Sequence, residues 1–112
     1  MRVDFQNCRD LPVGSVVYDP MFEQCGVVAG IDFWFSVGFT LQVVFENCTS
    51  HPIRGQGDTA NRLVLLDQVI DLSRYKGFSD PWFMVSTELK SARDKYLRDK
   101  RIRVMNPMSG DE

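Results

Sequence analysis

From Val13 onward the chain alternates short β-branched apolar runs with breaker residues. Val16-Val17-Tyr18 predicts a strand. Asp19-Pro20 predicts a turn, because proline presets φ and the aspartate side chain can cap its own backbone. Gly26-Val27-Val28 opens the returning strand. Ile31, Phe33, Phe35, Val37 and Phe39 share one parity, which predicts a half-buried strand or a long hairpin arm over 31–39. Leu41-Gln-Val-Val-Phe45 predicts another strand, with its turn at Glu46-Asn47-Cys48, and His51-Pro-Ile53 begins a further one. "RGQGDTAN", residues 54–61, is a loop by composition. Residues 63–72, "LVLLDQVIDL", fit a strand followed by a short turn, with a helix as the competing reading.

The pattern changes after the breaker-rich stretch "KGFSDPW", residues 76–82. Ser86 or Thr87 is a candidate helix cap, with Glu88 in the favourable first turn. Leu89, Ala92, Tyr96 and Leu97 form one apolar stripe reaching to about Lys100. "DPWFM", residues 80–84, precedes this helix, and Trp82 and Phe83 are expected to staple it to the β body or to anchor a partner. The tail "NPMSGDE" is expected to fray. The predicted class is mainly β: a small antiparallel barrel over residues 1–85 and a C-terminal basic helix with its tail over 86–112. Closely spaced short strands favour a barrel over a parallel sheet.

A length of 112 residues suits one domain. No segment approaches the run of about 18 apolar residues that a membrane helix needs, and the opening "MRVDFQNCRD" is too polar for a signal peptide. The expectation is a cytoplasmic protein without a membrane partner. Cys8, Cys25 and Cys48 are odd in number and form no C-x-x-C pair, which argues against a disulfide framework. Charge is unevenly placed: residues 1–85 carry six Lys/Arg and ten Asp/Glu, whereas residues 86–105 carry seven Lys/Arg and three acids. The acidic body is a poor nonspecific binder of nucleic acid, and the basic segment can still bind locally.

"VGSVVYDPMFEQCGVVAGI", followed by "LQVVFEN", resembles the SH3/Tudor-like barrels of some small bacteriophage proteins. It is similar, too, to the RNA-polymerase-interacting domains of CarD-type regulators and to a C-terminal domain of some DNA-repair helicases. Val13-Gly14, Pro20, Phe22, Gly26, Val27-Val28, Ile31 and Val43 to Asn47 carry the resemblance, which spans about residues 11–72. Where those families have glycine after the Phe, this chain has Glu23. Where they have glycine after "FEN", it has Cys48, and Cys25 is an extra residue in the turn. The resemblance implies an SH3/Tudor-like barrel used as a binding platform. It further implies a host-directed role in which a phage protein inhibits a transcription or defence complex.

Cys48-x-x-His51 has ligand-like spacing and, with Cys8 and Cys25, would complete a Cys₃His zinc set by count. The simpler expectation is packed thiols, one loop histidine and no metal or cofactor. A Cys48–His51 or serine dyad would need a base within hydrogen-bond reach, and nothing in the sequence orients one, so the chain reads as non-enzymatic. "GQGDT" between Arg54 and Arg62 can cradle a phosphate through backbone N–H groups, although it lacks the lysine and spacing of a P-loop. Tyr18, Phe22, Trp34 and Phe45 are candidates for an aromatic mouth. Of these, Phe45 is expected in the core together with Phe33 and Phe35, whereas Phe22 and Trp34 are candidates for a partner surface. On the helix, Arg93, Lys95, Arg98 and Arg101 are the candidate contacts. The partner is expected to be a protein, with nucleic acid as the alternative through the basic helix, for a monomer or a homodimer.

Overall fold

The computed structural model describes residues 2–3, 10–35, 38–55 and 58–105, excluding the side chains of Trp34, Asp58 and 101–105. Five strands, β1 (Ser15–Asp19), β2 (Gln24–Trp34), β3 (Gly38–Phe45), β4 (Ser50–Arg54) and β5 (Val64–Val69), form one antiparallel sheet in the order β4-β3-β2-β1-β5. A short helix, α1 (Asp58–Arg62), precedes β5, and a 3₁₀ turn at Leu72–Tyr75 leads to the long helix α2 (Pro81–Met105). The fold is therefore mainly β with a C-terminal helix. The sheet does not close into a barrel: β4 and β5 are its two edges.

Both faces of the sheet are buried along β1 and the adjoining parts of β2 and β3, which is why those stretches read as near-continuous apolar runs. Val17, Val28, Leu41, Val43, Phe45 and Ile53 point to one face, where Val3, Leu11, Ala60 and Leu63 cover them. Val16, Tyr18, Cys25, Val27 and Val44 point to the other, against Ile70, Tyr75 and the α2 residues Val85, Leu89 and Ala92. Each fully buried Val or Leu contributes about 1.5–3 kcal/mol relative to exposure.

Simple alternation fails in β2 because Ala29 is an extra residue: Val28 pairs Val43 while Gly30 already pairs Gln42. This bulge resets the parity, so Val28 and Ile31 face the same core.

Four expectations need correction. The stretch 31–39 is not one strand, because the chain reverses within it and Phe33 pairs with Phe39. Phe33 and Phe35 are consequently not core residues: they project at a hairpin tip, Phe33 57% exposed and Phe35 fully so, with their rings 5.6 Å apart. Phe45 is buried as expected. Residues 58–62 of the supposed loop are helical, with Ala60 seated in the core and its carbonyl accepting the Leu63 N–H at 3.1 Å. Finally, α2 starts at Pro81, five residues before the expected cap. Proline fits the first helical position, and Asp80 Oδ1 accepts the Phe83 N–H at 3.2 Å as a cap. Ser86 lies inside the helix and donates to the Glu46 carbonyl. Residues 63–72, open between two readings, supply strand β5.

Candidate binding site

Asp19 ends β1 and lines a cleft between the β1–β2 turn, β4 and α1. It is only 1% exposed. Its Oδ1 accepts the Met21 N–H at 3.0 Å, the local cap that the Asp-Pro turn calls for. The same carboxylate receives Arg62 from α1: Nε donates to Oδ1 at 2.9 Å and Nη2 to Oδ2 at 3.1 Å. This hydrogen-bonded contact raises the Arg62 pKa further above its ordinary value. Phe22, on the β1–β2 turn, places its ring 5.6 Å from the Arg62 guanidinium carbon while remaining 62% exposed. Around them opens a cleft of about 210 Å³, lined also by the polar Gln24, Thr59 and His51 and the apolar Phe45, Pro52 and Ile53. Met21 is exposed beside Phe22.

The proposed aromatic mouth is not assembled as expected. Tyr18 faces α2, its ring 4.9 Å from that of Tyr96, while Phe45 faces the opposite core, because Tyr18 pairs with Cys25 and Phe45 with Gly26, successive β2 residues that point to opposite faces of the sheet. Burial, followed by the charge of Glu23, raises the Tyr18 pKa. Of the four rings, Phe22 and Phe45 line the cleft, and the Trp34 side chain lies outside the described residues.

The helix candidates separate into different surroundings. Arg93 is tied to the fold: Nη1 donates to Glu46 Oε1 at 2.7 Å and Nη2 reaches Asp94 Oδ1 at 3.4 Å. Glu46 sits in the β3–β4 turn at 6% exposure, and its Oε2 accepts the Cys25 N–H at 2.5 Å. Lys95 is exposed beside a trough between β5 and α2, and Arg98 is exposed on the helix surface. The Arg101 side chain lies outside the described residues.

Cys25 and Cys48 are not gathered with His51 into a ligand set. Cys25 is buried under α2, Cys48 is exposed with its Sγ 3.7 Å from the Trp82 carbonyl, and Cys8 lies outside the described residues. His51 Nε2 is 3.2 Å from Thr49 Oγ1. Among the described residues no group of three His, Cys, Asp or Glu is placed to hold a metal ion, and no helix is long and apolar enough to cross a membrane. Of "GQGDT", residues 56–57 lie outside the described set, while Thr59 and Arg62 reach the cleft.

Sequence reasoning found Phe22 but not the Asp19–Arg62 pair. The two are 43 residues apart, and each has a local reading, as turn former and loop flank, that hides the pairing. No protein-family model, curated protein or solved structure matches this chain.

Proposed function

We propose that this chain is a non-enzymatic binding module that docks on a protein partner through the cleft beside Phe22. The observation that carries the reading is the conjunction of Met21 and Phe22, both exposed, with the anchored Arg62 at the rim of a concave, half-apolar surface. Aromatic and arginine side chains at such places dominate protein–protein binding energies. Exposed Lys95, Arg98 and Lys100 on α2 add a steering field for an acidic partner.

We read the five-stranded sheet as an SH3/Tudor-like barrel opened between β4 and β5. Supporting this, Glu23 and Cys48, where the similar families carry glycine, have φ of 50° and 65°, the left-handed region that favours glycine. That resemblance makes a bacteriophage inhibitor of a host transcription or defence complex, acting in the bacterial cytoplasm, the role to test first. The runner-up, a nucleic-acid-associated accessory domain, draws on the basic part of α2. Asp94 and Asp99, both exposed on the same helix, weigh against a continuous phosphate track.

The test is affinity capture from a bacterial lysate at physiological salt with the native chain and with Phe22→Ser. A protein retained by the native chain after nuclease treatment, and lost with Phe22→Ser while the fold persists by circular dichroism, is the expected result. Recovery of nucleic acid alone, with a steep fall in retention as salt rises, establishes the runner-up instead.

A further inference from the structure

Arg62 carries two edges that can each grip a pair of oxygens, and the fold uses one. Nε and Nη2 face Asp19 at 2.9 and 3.1 Å. Two of the five guanidinium donors are thereby spent. The opposite edge, formed by Nη1 and the outer hydrogen of Nη2, finds no acceptor among the described residues. The group is held against turning, with a buried carboxylate behind it and the Phe22 ring across one side. A donor pair fixed in this way forms hydrogen bonds at little further entropic cost.

We propose that the cleft receives the carboxylate of an acidic side chain from the protein partner, gripped by Arg62 Nη1 and Nη2, with its stem against Phe45 and Ile53. This rests on the reading of the chain as a protein-binding module. Three features select the ligand. A guanidinium edge matches the two oxygens of a carboxylate in bidentate geometry. Among the described residues Arg62 is the one Lys or Arg lining the cleft, and it already faces the charge of Asp19. With Asp19 already opposite Arg62, a bound carboxylate leaves one net negative charge in the cleft, whereas a phosphate approaching two charges leaves two and meets the repulsion of Asp19 with no fixed second cation. At about 210 Å³ the space suits one side chain, since sites for drug-sized molecules begin at about 300 Å³.

The measurement follows the arginine Nε–Hε resonances of ¹⁵N-labelled protein during titration with three short peptides and, separately, with inorganic phosphate, the Arg62 signal being assigned by its loss in Arg62→Lys. Acetyl-Phe-Glu-amide should shift Arg62 saturably, and acetyl-Phe-Gln-amide should not. Acetyl-Phe-Gln with a free C-terminal carboxylate should shift it less than the glutamate peptide. Arg62→Lys loosens Asp19 as well, so a second variant is needed: Thr59→Glu places the protein's own carboxylate at the cleft and should weaken the glutamate peptide tenfold or more while the Asp19 contact persists. Equal shifts from the glutamate and glutamine amides, a stronger response to the free C-terminus, or a response to inorganic phosphate but not to glutamate would each overturn the proposal. If Thr59→Glu still captures the partner that Phe22→Ser loses, the binding-module reading stands and the carboxylate site falls.

Discussion

Cys25 and Cys48 place the same chemical group in opposite surroundings. Burial, and secondarily the charge of Glu46, pushes the Cys25 thiol up to about 12. Cys48 is exposed on a turn. Since the thiolate is the reactive form, N-ethylmaleimide at about pH 8 should modify Cys48 in the native protein and spare Cys25, with peptide mapping as the readout. Denaturant should remove the difference. The raised pKa has a sign for stability. The neutral thiol is favoured in the fold, so its contribution is complete below the unfolded thiol value of about 8.5. It is lost as pH rises from there toward about 12, and urea midpoints should fall over that window more steeply for the native chain than for Cys25→Ala. Backbone strain sets a second residue-scale expectation. Glu23 and Cys48 are the two non-glycine residues with positive φ among those described. Replacing either with glycine should raise stability by about 0.5–1 kcal/mol, less than the full left-handed penalty because glycine also loosens the unfolded chain.

At the scale of elements, α2 is positioned by an apolar stripe and by one polar junction. Val85, Leu89 and Ala92 give the stripe; Ser86 and Arg93 bond Glu46, which in turn holds the Cys25 backbone at the start of β2. Hence Arg93 belongs to the docking of the helix rather than to its free surface. Arg93→Ala should cost about 1–3 kcal/mol, because it leaves the buried Glu46 carboxylate without its cation. Arg98→Ala should stay within about 0.5 kcal/mol. Chemical denaturation of the two variants side by side checks the contrast, and equal losses would return Arg93 to the solvated face.

For the whole molecule, charge and packing are divided along the same helix. Tyr96 and Leu97 are the last described side chains packed against the sheet, and Arg98, Asp99 and Lys100 are exposed. Truncation after Leu97 should therefore change the melting temperature little while removing Arg98, Lys100, Arg101 and Arg103. Partner association should become slower and less sensitive to salt; a large drop in melting temperature would show that the distal helix supports the fold. The β-rich meander and the helix that follows it were legible in the sequence, because β-branched runs, Asp-Pro and glycine breakers, and a 3.6-residue apolar stripe act over neighbouring positions. Phe22 was legible as a turn residue for the same reason. Local signals were insufficient where one residue's parity depends on a distant strand: the bulge at Ala29 and the chain reversal within 31–39 redirect side chains that simple alternation misassigns. They also could not reveal that Asp19 meets Arg62 across 43 positions, or Glu46 meets Arg93 across 47. The sequence by itself determined the β-rich body and the long C-terminal helix that follows it, since those choices rest on local backbone and burial preferences. The tertiary structure alone decided which charges are spent on the fold and which edge of Arg62 Asp19 leaves unused, since only sheet register and helix docking bring those partners within reach.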